Sequence, residues 1–196
     1  MSGPAGAPVS LTERPDLDRW LPSPALVVSS RGSSPAPAEV LWQAARTVRL
    51  ADAGLLGRLI RWRIPGTEAA LAFDELFRRP PFAVLEEGEL GLTSGLTGRI
   101  WTLSRDYARL EDPKEFLSWS TPGTARVLFA SWVERTAQHG SVLHNEARVE
   151  AIGRQGRLGL AAVRPLVRAF DHLIESEGIA AAIRLAGADG AIRGDS

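Results

Sequence analysis

Two alternating runs, Ala125 to Arg135 and Ser141 to Glu150, are separated only by the polar turn Thr136-Ala137-Gln138-His139-Gly140. Period-two alternation on both sides of a short polar turn is the pattern of a β-hairpin. The stretch after it, Gly156 to Ala186, changes to helical spacing. Leu166, Phe170, Leu173 and Ile174 form its apolar stripe, and Pro165 starts or kinks its main part. Strands joined by short turns, followed by a segregated helix, imply an antiparallel sheet in an α+β domain.

Upstream, Pro24 to Arg31 reads as a strand in which Leu26 and Val28 alternate with Val27 and Ser29. A helix follows, capped by Ser33 or Ser34, with Pro35 or Pro37 in its first turn and Glu39 at its positive end. Val40, Leu41, Ala44, Ala45 and Val48 recur along it at helical spacing, with Trp42 on the flank. A second amphipathic segment, about Asp52 to Ile64, sets Leu55, Leu56, Leu59 and Ile60 against Arg58, Arg61 and Arg63, and Pro65-Gly66 ends it. Ala69 to Phe77 is compatible with a short helix. Short strands are predicted at Phe82 to Glu86, Glu89 to Ser94 and Arg99 to Ser104, with Gly88, Gly91, Gly95 and Gly98 at turns or bends. The predicted fold is therefore α+β of the helix-grip type: a curved antiparallel sheet wrapped around a long C-terminal helix, with two short helices after the first strand. Residues 1–22 read as a flexible or extended arm whose end Leu17, Trp20 and Leu21 can pin to the body. Residues 23–187 read as the domain and 188–196 as a disordered tail.

Composition removes several function classes. With 196 residues the chain can bury one sizeable core. It has no cysteine, so disulfides and thiolate metal sites are excluded. Its formal net charge is zero, without the basic excess of a nucleic-acid binder. Nothing approaches the ~20 apolar residues of a membrane span, and no secretory signal is readable at the start. The expectation is a soluble cytoplasmic protein, monomer or homodimer.

The order of elements is also that of the START-like superfamily, often called SRPBCC or polyketide cyclase-like. Pro37-Ala38-Glu39-Val40-Leu41-Trp42 resembles the Ala-Pro, acidic residue, Val-Trp start of the first helix in many members. Gly91 to Trp101, with Leu96, Gly98, Arg99 and Trp101, is similar to a Gly-hydrophobic-Gly-Arg-aromatic-Trp segment of an uncharacterised bacterial branch. Asn145-Glu146-Ala147-Arg148-Val149 stands where that branch has Thr-Glu-Thr-Arg-Val, and Arg164-Pro165 resembles the Arg-Pro opening of its last helix. The resemblance spans roughly Pro24 to Ala186. Asn145 and Ala147 replace the two threonines, and Phe129-Ala130-Ser131 replaces a Trp-Asn-Phe pattern. The resemblance implies a helix-grip fold with a pocket. Members include lipid carriers, hormone receptors, aromatases, cyclases and ring-hydroxylase subunits, so it implies no single function.

The chemistry-bearing residues are few. His139 falls in the predicted turn, and His144 and His172 are far from it in sequence. His144 and Glu146 share one face of a strand, a spacing that suits two metal ligands, but no third ligand is identifiable and no metal is assigned. Glu146 and Arg148 fall on the same face, opposite the apolar Leu143, Ala147 and Val149, which places the pair on a solvated side of the sheet. Asn145 joins the apolar face, and Ser131 sits between Phe129 and Val133. Inward polar side chains need partners, from protein, water or a ligand. Ser94 lacks a nucleophile elbow, and Gly91, Gly95 and Gly98 are not spaced as a dinucleotide loop, so no cofactor is implied.

These observations predict a noncatalytic binder or carrier of a hydrophobic, lipid- or polyketide-like small molecule. The predicted cavity residues are Trp101, Tyr107, Phe129, Ser131, Val133, Asn145, Phe170 and Ile174. One alternative is a cyclase or aromatase in which Tyr107, Asn145 or Glu146 moves a proton. Another is a protein-interaction module using the same groove. Transient membrane contact through the arginine-bearing second helix, with Leu55, Leu56 and Trp62, is the minority reading.

Overall fold

The computed structural model describes residues 14–64, 67–102, 106–137, 140–173 and 178–193. The two alternating runs form strands β5 (Ala125–Arg135) and β6 (Ser141–Ala151), paired antiparallel from Ala125 opposite Ala151 to Arg135 opposite Ser141. Residues 138–139 of the intervening turn lie outside the described residues. Strand β1 (Leu26–Ser34) adds to the far side of β6, and β3 (Gly91–Gly98) pairs with β5. Strand β2 (Ala83–Gly88) completes the far edge, while the short β4 (Tyr107–Ala108) pairs with the end of β3. The result is a six-stranded antiparallel sheet in the order β1-β6-β5-β3-β2, with helices before and after the strands. This is an α+β architecture compatible with a helix-grip fold.

One face is covered by α2 (Ala38–Thr47), α4 (Phe73–Leu76) and α7 (Ala180–Arg193), with a 3-10 turn (Leu50–Ala53) and α3 (Gly54–Arg63) beside them. Helix α2 packs on α7, β5 and β6, and α7 on β1. Their core joins Leu41, Trp42 and Ala182 to Leu92, Val133 and Leu143 of the sheet. Helix α6 (Gly153–Leu173) starts directly after β6, and its Leu160 packs with Leu26, Val28 and Val149. Residues 174–177, between α6 and α7, lie outside the described residues, as do the side chains of 164–173.

The opposite face is covered as well, contrary to the solvated side expected from the sequence. Helices α1 (Leu17–Trp20) and α5 (Pro113–Ser118) lie over it. Leu17, Trp20, Leu21 and Phe116 bury Leu128, Ala130 and Trp132 of β5. Burying an apolar side chain the size of leucine or phenylalanine contributes about 1.5–3 kcal/mol. Asp112 caps α5 by accepting from the Lys114 amide, with Pro113 at the first helical position. Arg126 then donates to the Phe116 and Leu117 carbonyls, anchoring the helix to β5.

Several local expectations change. Leu17, Trp20 and Leu21 do pin residues 14–22 to the body through α1, but helix α7 continues to Arg193, past the Gly187 where a loose tail was expected. Strand β1 runs through Ser34, so neither Ser33 nor Ser34 caps α2, which starts after Pro37 without a side-chain cap. No strand forms over the described residues of Arg99–Ser104. Gly95 lies in the middle of β3 rather than at a turn between two strands. Its reason is packing: a Cβ there meets the Phe116 ring at 2.7 Å and Leu85 at 2.8 Å. Gly95→Ala is accordingly expected to destabilise the protein by about 1–3 kcal/mol through overpacking, read as a lowered midpoint in urea.

Candidate functional site

The pleat of the sheet decides which side chains meet. Register puts Ser30 opposite Asn145, Asn145 opposite Ser131 and Ser131 opposite Leu92 across four neighbouring strands. Val28, Ala147 and Phe129 form the next row on that face, two residues along each strand. This face and the helices above it bound a half-open cavity of about 380 Å³. That volume is within the range of small-molecule sites.

The cavity wall is apolar over most of its extent. Phe129 stacks on Phe77 with ring centroids 3.9 Å apart, and Phe82 meets Phe77 edge-on at 4.9 Å. Leu92, Leu96, Val127, Val149, Ile60 and Ile64 continue the lining, with Val163 of α6 and Ala182 of α7. Among the described residues only a few polar ones reach it. Arg46 and Asp74 line it together and pair with each other at 3.4 Å, while Asp74 also accepts from Arg78 at 2.8 Å. Tyr107 lines it from β4. Ser131 and Asn145 are half-buried on the sheet wall and make no side-chain hydrogen bond among the described residues. Ser30, opposite Asn145 in the register, is buried with its hydroxyl unpartnered among the described residues, but it stands outside the cavity lining. An inward polar row without protein partners is a place where a bound molecule gains by supplying the missing hydrogen bond.

Of the predicted residues, Tyr107, Phe129, Ser131 and Asn145 line this cavity. Val133 is on the same face but fully buried in the helix–sheet core, outside the cavity lining. Trp101 packs under α6 instead, so close that a Cβ on Gly159 falls 2.3 Å from its indole ring. The side chain of Phe170 and all of Ile174 lie outside the described residues, as do the side chains of Leu55, Leu56 and Trp62. Sequence reasoning missed Phe77, Phe82, Arg46 and Asp74. The Phe73–Phe77 and Phe82 spacing was the available signal, but it straddles a helix and a strand that periodicity treats separately.

The other face carries the charged residues. Arg148 donates to Glu146 at 2.6 Å and to Asp18 of α1, and both Arg148 and Glu146 are buried. Arg14 stands 3.3 Å from the second oxygen of Glu146. Burial disfavours the Arg148 charge, but its bonds to Asp18 and Glu146 outweigh this and raise its pKa above the ordinary arginine value. The same bond from Arg148 holds the Asp18 carboxyl below its usual range. His144 stacks on Trp132 at 4.9 Å, and its Nε2 lies 3.2 Å from Glu134 but off hydrogen-bonding geometry. Burial pushes its pKa down. The Glu146–Arg148 pair is thus not a solvated surface pair, as expected from alternation, but a buried link between α1 and β6. It also lies on the wrong side of the sheet to touch a molecule in the cavity. His139 and the side chain of His172 lie outside the described residues.

No family model and no curated protein matches this sequence. Among solved structures the chain is similar to TTHA0849 from Thermus thermophilus, at 10% identity over 84% of this chain and 99% of that one, with a TM-score of 0.34. It is similar to the hypothetical protein jhp0584 from Helicobacter pylori at 13% identity, 89% and 97% coverage and a TM-score of 0.38. Ara h 8.0201 gives 13% identity, 76% and 94% coverage and a TM-score of 0.24. Likeness at this level assigns no family. Among the described residues no helix is long and apolar enough to cross a membrane.

Proposed function

We propose that this chain is a START-like helix-grip protein that binds and carries a hydrophobic small molecule, lipid- or polyketide-like, between its sheet and C-terminal helices. The observation that carries the reading is the apolar cavity whose sheet wall holds Ser131 and Asn145 without side-chain partners among the described residues. Apolar walls supply burial, and a few placed polar groups supply orientation. The polar group on the ligand is neutral, a hydroxyl or carbonyl. Arg46, the one arginine among the described residues on the cavity wall, is already engaged by Asp74. The cyclase or aromatase alternative needs titratable groups converging on a bound molecule; among the described residues Tyr107 and Asp74 line the cavity, but Asp74 is held by two arginines and Glu146 faces away.

Native mass spectrometry of freshly purified protein, followed by organic extraction, tests the proposal. One lipophilic molecule per chain is expected. If the mass is that of the bare chain, titration with a fluorescent long-chain alcohol is expected to saturate at one per chain. Failure of both rejects the carrier reading.

A further inference from the structure

The net charge of zero conceals an uneven layout. Residues 53–67 hold Arg58, Arg61 and Arg63 and no acidic residue. Residues 151–170 hold Arg154, Arg157, Arg164 and Arg168 and, again, no acidic residue. These two runs form α3 and α6, and the two helices touch. Both bring apolar residues to the cavity, Ile60 from α3, Ile64 directly after it and Val163 from α6. Arg58, Arg61, Arg154 and Arg157 are exposed.

Among the described residues these arginines differ from most others in having no answering charge. They differ from the isolated unpaired ones, such as Arg31 and Arg184, in standing on two acid-free runs that touch. Arg46 meets Asp74, Arg78 meets Glu87, Arg126 meets Glu150 and Arg135 meets Glu39. Among the described residues none of the four exposed arginines of α3 and α6 enters an ion pair. Beside the α6 pair sits an apolar side chain that burial cannot explain: Leu158, next to Arg157 and one turn from Arg154, is 73% exposed. Val27, the next most exposed large apolar residue, reaches 49%.

We propose that the α3–α6 surface docks on an anionic lipid bilayer. The arginines pair with headgroup phosphates, and Leu158 enters the headgroup–acyl boundary. Basic helices with a protruding apolar residue bind such surfaces through the sum of both terms. Guanidinium groups suit phosphate because they pair bidentately. A nucleic-acid backbone shares the phosphate but gains nothing from Leu158, which favours the bilayer. Docking rests on this charge layout and on Leu158, not on what the cavity holds. Only the corollary, that it brings the cavity to a source of cargo, rests on the carrier reading.

The test is flotation of the full chain with vesicles of phosphatidylcholine alone or mixed with phosphatidylglycerol. Co-flotation is expected only with the anionic vesicles and at low ionic strength, and is lost in concentrated salt. The double substitutions Arg58→Glu/Arg61→Glu and Arg154→Glu/Arg157→Glu are each expected to weaken partitioning by at least roughly 30-fold. Arg184→Glu, at an exposed arginine of α7, is expected to leave it within about twofold, since the effect is local rather than one of net charge. Thermal melts establish that each variant is folded. Leu158→Ser keeps every charge and is expected to weaken flotation. Three outcomes overturn the proposal: no flotation of the unmodified chain at low salt, equal loss in the Arg184 variant, or tighter binding to a short DNA duplex than to the vesicles. Because flotation is scored on ligand-stripped protein, its failure leaves the carrier reading standing, and an empty cavity leaves the docking standing.

Discussion

Arg148→Met is expected to destabilise the protein by about 3–5 kcal/mol, measured as a lowered urea midpoint at unchanged slope. The side chains of Arg148 and Glu146 are each 8% exposed and joined at 2.6 Å. Removing the guanidinium leaves a carboxylate under α1 with much of its compensation gone. It also releases Asp18 and the Leu21 carbonyl, both of which Arg148 holds. The loss lies toward the lower end of that range, because Arg14 still stands 3.3 Å from Glu146. The double variant Glu146→Gln/Arg148→Met is expected to recover most of the loss, since a buried ion pair as a whole is worth little against a well-packed neutral replacement. A single-variant loss below about 1 kcal/mol, the value of a surface pair, shows that the link is solvated after all.

Filling the cavity should have the largest effect on binding. Ala147 lies on the sheet wall between Val28 and Phe129, facing the open volume. Ala147→Phe places a ring in that volume and is expected to reduce affinity for a lipophilic ligand by roughly 100-fold while the fold tolerates it. Overpacking penalises additions to filled cores, and this site has room. Asn145→Leu asks a finer question. It replaces an inward polar group that has no side-chain partner among the described residues, so stability should hold or rise by about 1 kcal/mol. Affinity should fall about tenfold if the amide orients the ligand. Fluorescence titration against the long-chain alcohol separates the two variants. If Ala147→Phe binds as well as the unmodified chain, the ligand is elsewhere. If only Asn145→Leu does, the amide plays no part.

The strands that carried the fold were legible because their alternation is strict on the cavity side. Leu143, Asn145, Ala147 and Val149 face it, as period two requires. The same alternation misled on the other side. Glu146 and Arg148 look solvated in sequence, and only α1 and the Arg148 bonds turn that face into an interior. A warning was present in β5, where Leu128 and Ala130 interrupt the alternation with apolar residues on the second face, the mark of a strand buried on both sides. Val133 shows the other limit. Its face was inferred correctly, but whether an inward side chain meets space or a helix depends on where α2 sits, which no local pattern encodes. Helix α5 had its signals in Asp112, Pro113 and Glu115 and went unread, since six residues are too few for helical periodicity to register.

The adjacency of β1 and β6 has a consequence for how the chain reaches this state. Leu26 pairs with Val149, so the first strand waits for the last before its inner edge is satisfied. The β5–β6 hairpin is local and closes early, whereas β1 contributes only non-local contacts, the kind that slow folding. During synthesis β1 emerges long before its partner, with Leu26, Val28 and Val27 uncovered in the interval. The ladder that fastens the first strand is therefore the step most open to competition from other chains. Conditions that shorten that interval should raise the yield of native protein more than any gain in final stability.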